Sequence, residues 1–138
     1  VQTCALPIFT SEQPNGVQVS IMAEDGNHLT LLHSHTNVTP LSRGDFKYLC
    51  NEQVDSVGNI AINGDMFMVS VGNGWRPTVE EYDRIASQIA DEVNFDVLSL
   101  PGYDKWTPEE RTYVAIREQA YRIARYFEWN LMGGGIDG

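Results

Sequence analysis

The chain of 138 residues has few cysteines and no long apolar run. Cys4 and Cys50 are its two cysteines, and neither belongs to a CxxC motif, so a disulfide framework is excluded. No stretch approaches the about 20 apolar residues that cross a bilayer. The first residues, VQTCALPIF, lack the basic start and long apolar run of a secretory signal. We therefore expect a cytoplasmic protein that does not enter a membrane.

Basic side chains are also scarce. Nine Lys and Arg face 19 Asp and Glu, which gives a net charge of −10 at pH 7. The basic residues are scattered and form no stripe, whereas binding to nucleic acid needs clustered Lys and Arg to neutralise phosphates. An anionic membrane surface would repel the same charge. We therefore expect neither nucleic acid nor a membrane as a partner.

The composition that remains is globular, with 42% apolar and 20% charged residues. The length suits one domain. The first eight residues, VQTCALPI, match the in-frame translation of a common sequencing-adapter end, so we expect residues 1–8 not to belong to the protein. Residues 9–130 are then predicted to form a single domain, and residues 131–138 a glycine-rich tail.

The periodicity of apolar residues predicts an α+β fold with the element order ββαββαα. Asp25 and Gly26 give a two-residue hairpin signal between the first two strands. Thr78 and Thr107 each precede a Glu by three residues, which is the pattern of a helix capping box. Gly133 is predicted to follow the end of the last helix. Strands are predicted over residues 17–23, 28–34, 57–62 and 66–72, and helices beginning at Ser42, Thr78 and Thr107.

The stretch HSHTNVTPLSRGD concentrates the residues that suit metal chemistry. His33 and His35 are spaced i, i+2 on a predicted strand and therefore point to the same face. Asp45 lies in the first turn of the next helix. Two His and one carboxylate leave a fourth zinc position for water, which is typical of a catalytic site. The alternative is structural, because Ser42 and Asp45 also form a helix capping box, and the spacing alone does not decide between the two.

HSHTNVTPLSRGD resembles the motif of JAMM/MPN (JAB-domain) zinc metalloproteases, H-x-H followed by a Pro-containing loop and S-x-x-D. It is also similar to the JAMM-like domains of phage and bacterial proteins. The resemblance implies a cytidine deaminase-like sheet with flanking helices. It implies Zn²⁺ bound by His33, His35 and Asp45, with Ser42 supporting the reaction intermediate. The implied reaction is hydrolysis of a peptide or isopeptide bond in a protein or peptide substrate, such as a ubiquitin-like tail, a polyprotein or a peptidoglycan-type peptide.

The motif departs from the family in its loop, which is one residue shorter than usual and has Thr36 where Pro is common. The family's general-base Glu lies upstream. A two-residue turn at Asp25 and Gly26 makes the numbers of paired residues sum to 51, which predicts Glu12 near the metal end. Glu24, at the turn, is roughly 20 Å away along the strand. The base is therefore Glu12, a residue upstream of this chain, or absent.

Two rival functions follow from these alternatives. Without a general base, the chain is a catalytically inactive JAMM-like binding or assembly module. A metal-dependent nuclease or phosphoesterase would use the same ligands, but the acidic composition disfavours it. Trp75 and Arg76 lie on either a substrate-facing loop or a strand-to-helix connection, and the second is favoured. Asp65 is predicted to serve its turn rather than a metal.

Overall fold

A computed structural model describes residues 4–5, 9–10, 18–24, 28–34 and 40–133 of the chain, with side chains for residues 29–34 and 40–133. Each of the main elements arises from the predicted apolar periodicity. The strands are β1 (Cys4–Ala5), β2 (Phe9–Thr10), β3 (Gln18–Glu24), β4 (His28–Ser34), β5 (Val54–Ile60), β6 (Met66–Ser70) and β7 (Asn130–Gly133). The helices are α1 (Arg43–Phe46), which continues into a 3-10 turn (Lys47–Cys50), α2 (Val79–Leu98) and α3 (Pro108–Phe127), and a further 3-10 turn covers Tyr103–Lys105.

The strands form one mixed sheet in the order β1-β3-β4-β5-β6-β7, and β2 also pairs with β3. Four strands, β3 to β6, have five residues or more. All pairings are antiparallel except that between β4 and β5, which is parallel. A parallel pair needs a crossover connection, and α1 lies within it. The α+β class is therefore confirmed, with a mixed sheet and three α-helices.

The predicted element order ββαββαα is wrong at both ends of the chain. Two short strands, β1 and β2, precede the first predicted strand, and β7 follows the last helix. The predicted 131–138 tail also begins inside the sheet, because β7 pairs with β6. Strands this short carry too few residues to display an alternating pattern, so periodicity could not reveal them.

The last helix ends at Phe127, before the predicted glycines. Its C-cap is Glu128, which adopts the left-handed conformation at φ 59° and donates its backbone N–H to the carbonyls of Ala124 and Arg125. This conformation usually requires Gly or Asn, so a Glu gave no signal of a helix end. The chain then reverses, Trp129 is buried, and β7 begins.

The hydrophobic core lies between one face of the sheet and the helices. Leu31, Val57 and Val69 occupy one row across β4, β5 and β6, and all three are buried. Helix α2 adds a buried stripe that includes Tyr82, and α3 adds its C-terminal half. Aromatic rings close the core, with Phe127 stacked on Trp129 at 4.6 Å between ring centroids. The core fixes the position of α1 against the sheet, and through it the candidate site.

In the part of the chain that the structure describes, no helix combines the length and apolarity needed to span a bilayer.

Candidate functional site

The candidate site begins with His33, one residue before the end of β4. His33 lies on the core face of the sheet, two residues after buried Leu31, and is itself 5% exposed. A buried imidazole needs polar partners, because an unsatisfied polar group in an apolar environment costs about 1–3 kcal/mol. Its position at the carboxyl end of β4 places it beside the crossover that leads into α1.

The second part of the site is the first turn of α1. Ser42 is the N-cap in an extended conformation, and its Oγ accepts a hydrogen bond from the backbone N–H of Asp45 at 3.3 Å. The backbone N–H of Ser42 donates to Asp45 Oδ2 at 2.8 Å. This reciprocal pair is a capping box with Asp in place of the usual Glu or Gln. The sequence prediction of a cap at Ser42 is confirmed, and the cap fixes the orientation of the Asp45 carboxylate.

The two parts meet where His33 Nε2 lies 3.1 Å from Asp45 Oδ1. The carboxylate therefore contacts the cap through one oxygen and the buried imidazole through the other. Zinc bonds to His nitrogen and carboxylate oxygen are about 2.0–2.2 Å long, so two ligand atoms on a tetrahedral ion lie about 3.3 Å apart. The observed separation is that of a direct hydrogen bond and is also close to that of two ligands sharing one zinc ion.

Ser42 lies at the same corner, with its side chain already used as an acceptor. A hydroxyl has two acceptor lone pairs and one donor, so the capping role leaves its proton available to donate. The residue can therefore hold α1 in place and still offer a hydrogen bond to a charged oxygen beside Asp45.

Two of the predicted site residues, His35 and Glu12, lie outside the described residues. The three that the structure describes with side chains, His33, Ser42 and Asp45, lie together at one corner. Within the described residues, no group of three or more His, Cys, Asp or Glu side chains is arranged to hold a metal ion. A complete ligand set of the predicted kind needs His35 as its third member.

The predicted register between the first two strands is wrong by one residue. Glu24 pairs with His28, so that the paired numbers sum to 52, where a two-residue turn gives 51. His33 consequently pairs with Val19. Three residues separate β3 from β4, and the Asp-Gly signal does not by itself fix whether a hairpin loop has two or three residues.

The sequence did not predict which residue lies beside His33 on the neighbouring strand. Asn59 on β5 is fully buried and pairs in register with His33 across the parallel strands. His33 and Asn59 are the buried polar residues in the described part of the chain. The available signal was an Asn at an inward position of a strand, between Val57 and Ala61, where an apolar residue is expected.

Sequence reasoning also missed how α1 is attached to α2. The Tyr82 hydroxyl donates a hydrogen bond to the carbonyl of Arg43, in the first turn of α1. Burial is the largest influence on this phenol and, with the nearby Cys50, raises the pKa of Tyr82 well above its ordinary value, so the hydroxyl keeps its proton. A Tyr in the apolar stripe of a helix predicts burial, but its partner becomes known only when the helices are packed.

Arg76 and Trp75 belong to the scaffold. One guanidinium nitrogen of Arg76 donates to the carbonyls of Leu49, Asn51 and Val54 at 2.6–3.0 Å, and the other bonds Asp55 Oδ1 at 3.0 Å. The Trp75 ring packs on Phe127 with 4.8 Å between centroids. These contacts fit the strand-to-helix connection favoured above. They tie the turn after α1 to the start of β5.

Asp65 and Cys50 are not part of the candidate site formed by His33, Ser42 and Asp45. The backbone N–H of Asp65 donates to Asn63 Oδ1 at 3.0 Å within the turn, as predicted. Cys50 is half-buried at the edge of the hydrophobic core. Burial, and then the charge of Asp83, raise the pKa of the Cys50 thiol, which makes a reactive thiolate unfavourable.

Comparison with known proteins gives no match: no family model, no curated protein and no solved structure is significantly similar to the chain.

Proposed function

We propose that the protein is a zinc-dependent hydrolase of JAMM type that cleaves a peptide or isopeptide bond. The observation that carries the proposal is the 3.1 Å contact between His33 Nε2 and Asp45 Oδ1. Two of the three ligands that the H-x-H and S-x-x-D motif requires therefore lie together at a spacing that one zinc ion accepts. His35, which lies outside the described residues, is proposed as the third ligand on the H-x-H motif of the sequence alone.

A bound zinc ion would lower the pKa of its water to about 7 and polarise the carbonyl of the scissile bond. With zinc held by His33, His35 and Asp45, hydrolysis would add a water oxygen to the carbonyl carbon and break the bond from that carbon to nitrogen. Ser42 donates its hydroxyl proton as a hydrogen bond to the oxygen that gains negative charge. A Glu takes the proton of the attacking water and transfers it to the leaving amine.

We propose Glu12, which lies outside the described residues, over Glu24 as that base. Thr10, two residues before Glu12, pairs with Gln18, which in turn pairs with Ser34 next to His33. Glu24 pairs with His28 at the opposite end of β4. A base upstream of this chain, and the absence of a base, are the alternatives.

The metal claim is tested by the zinc content of the purified protein. We expect about one zinc per chain in the wild type, and little in His33→Ala and His35→Ala. His28→Ala is the matched control, because His28 lies at the other end of the same strand. Stoichiometric zinc in both His33→Ala and His35→Ala would overturn the site.

Catalysis is tested separately, with a fluorogenic substrate that contains an isopeptide bond. Asp45→Ala should abolish cleavage, and Glu12→Gln should lower it by about 100-fold or more while zinc content is unchanged. Cleavage retained in Asp45→Ala would exclude the mechanism.

The second candidate is a catalytically inactive JAMM-like binding or assembly module. The observation that favours it is that both Asp45 oxygens have protein partners, Oδ2 the Ser42 N–H and Oδ1 the His33 ring. If His33 and Asp45 have a purely structural role, these contacts satisfy the carboxylate without a metal ion. Stoichiometric zinc without cleavage in the wild type, or no zinc at all, would select this candidate.

A further inference from the structure

The solvent face of α2 carries apolar side chains near its C-terminus. Phe95 is 72% exposed and Leu98 is 61% exposed. At 3.6 residues per turn, Phe95 points about 160° away from the neighbouring buried residues Val93 and Val97. A helix that only covers a core is polar on this side. Leu100, just beyond the helix, is 41% exposed and extends the apolar surface.

Acidic side chains flank this apolar surface. Asp91 lies about one helical turn before Phe95, and Glu92 follows Asp91 in the sequence. The side chains of Asp91 and Glu92 are both exposed. Together with Asp96 these residues line an open concavity of about 480 Å³. Arg122 of α3 bonds Asp96 Oδ2 at 2.8 Å, which neutralises that carboxylate. The negative charge that faces solvent is therefore concentrated on the side of Asp91 and Glu92.

This surface lies far from the candidate site. Asp83, in the first turns of α2, pairs with Lys47 in the 3-10 turn after α1. Phe95 is twelve residues further along α2, which corresponds to about 18 Å of helix. The exposed apolar residues therefore do not belong to the His33 and Asp45 corner.

We propose that the α2 patch, formed by Asp91, Glu92, Phe95, Leu98 and Leu100, binds a basic amphipathic segment of another protein. Apolar side chains of the segment cover Phe95 and Leu98, and its Lys or Arg side chains pair with Asp91 and Glu92. This pattern is the usual way in which an amphipathic helix docks on an apolar surface with a charged rim.

The negative charge of the chain favours a basic segment over a membrane or a second copy of the chain as the ligand of the α2 patch. The chain carries a net charge of −10, which attracts a basic segment and speeds the encounter with it. An anionic membrane would be repelled. A second copy of the chain would bring a second set of Asp91 and Glu92 carboxylates, and the same net negative charge, into one interface, which like-charge repulsion disfavours.

The test uses a synthetic helical peptide of Leu and Lys at i, i+3 and i+4 spacing, and a counterpart with Glu in place of Lys. Binding to the intact protein is measured by titration calorimetry. Phe95→Ala should weaken binding of the Leu/Lys peptide by about tenfold, since apolar anchors dominate such interfaces. The Asp91→Asn, Glu92→Gln double variant should weaken binding and reduce its dependence on salt.

Two matched controls distinguish this surface from general attraction to an acidic protein. Ile62 is 70% exposed in the turn after β5, and Glu80 is exposed in the first turn of α2. Ile62→Ala and Glu80→Gln should leave binding within about twofold of the wild type. Equal weakening by these controls, or equal binding of the Leu/Glu peptide, would overturn the proposal. Self-association that Phe95→Ala abolishes would also overturn it, by identifying a second copy as the occupant.

Discussion

The three α-helices begin with the same local device but in different surroundings. Ser42 with Asp45, Thr78 with Glu81, and Thr107 with Glu110 each form a capping box with both reciprocal hydrogen bonds. The Thr78 and Thr107 boxes are exposed, and among the residues that the structure describes their hydrogen bonds stay within their own helix ends. In the Ser42 box the carboxylate also contacts buried His33 from another element of the fold.

The helices that follow explain why this difference matters. Helices α2 and α3 have 20 residues each and bury apolar stripes, so their caps are small additions to a helix that packing already supports. Helix α1 has four residues, of which only Phe46 is buried in the core, and its cap, the contact of Asp45 with His33 and the Tyr82 hydrogen bond also hold it. A capping motif therefore differs from an ordinary helix start when its carboxylate also contacts a buried side chain from another element, as Asp45 contacts His33.

The largest expected effect is that of Asp45→Ala. It removes the hydrogen bond from the Ser42 backbone N–H to the Asp45 carboxylate, worth about 1 kcal/mol, and takes from buried His33 its carboxylate partner, which costs about 2 kcal/mol more. We expect a loss of about 3 kcal/mol in the free energy of unfolding, measured by urea denaturation. Asp45→Asn keeps an oxygen for the cap and serves as the control. A cost no larger than that of Thr78→Ala would remove the distinction between the boxes.

Tyr82→Phe tests the tie between α1 and α2. The substitution leaves the ring stacked on Phe127 and removes the hydroxyl that donates to Arg43. Because the carbonyl of Arg43 loses a largely buried partner, we expect a loss of about 1.5 kcal/mol by denaturation. Tyr121→Phe, on the exposed side of α3, is the control and should be neutral. No difference between the two variants would show that the cap and His33 hold α1 without Tyr82.

Thr78→Ala should cost about 1 kcal/mol, the usual value of a local N-cap, and Thr107→Ala should cost about the same. Neither substitution should change zinc content or cleavage, since these caps have no contact with His33 or Asp45 among the described residues. The same denaturation series measures both variants. A loss of zinc in either variant would contradict the assignment of the site to the Ser42 box alone.

The smallest effect is the pH dependence of the Thr78 box. The hydrogen bond that the Thr78 backbone N–H donates to Glu81 Oε1 is the largest of the influences that lower the pKa of Glu81 below its ordinary value of 4.5. A carboxylate with a lowered pKa stabilises the fold above the pKa of the unfolded chain, and this contribution is lost as pH falls through the folded pKa. The stability difference between wild type and Glu81→Gln should therefore shrink between about pH 5.5 and pH 3. A stability difference that does not change with pH would contradict this prediction.

Much of the fold follows from the sequence, because its signals are local. The alternating apolar residues of β4, the turn that contains Asp65 and the Thr capping boxes each depend on neighbours within a few residues, and all appear where they were predicted. The failures concern residues without a local signal. Glu128 ends α3 in a left-handed conformation that Glu rarely adopts, and β7 is four residues long.

In the candidate site, too, the features with a local sequence signal were predicted correctly and the others were not. The spacing of His33 and Asp45 and the cap at Ser42 can be read from the sequence. The structure has His33 on a strand and Ser42 and Asp45 at the start of a helix, as predicted. The one-residue error in the register of β3 against β4 arose because an Asp-Gly turn does not fix the loop length.

The sequence by itself determined the α+β class, the acidic charge, the two long helices and the cap that orients Asp45, since each depends on composition or on neighbours along the chain. Only the tertiary structure decided that Asp45 meets His33, that Asn59 lies beside His33, and that Tyr82 holds α1. These contacts join residues 12 to 39 positions apart, and their formation depends on the packing of the sheet against the helices.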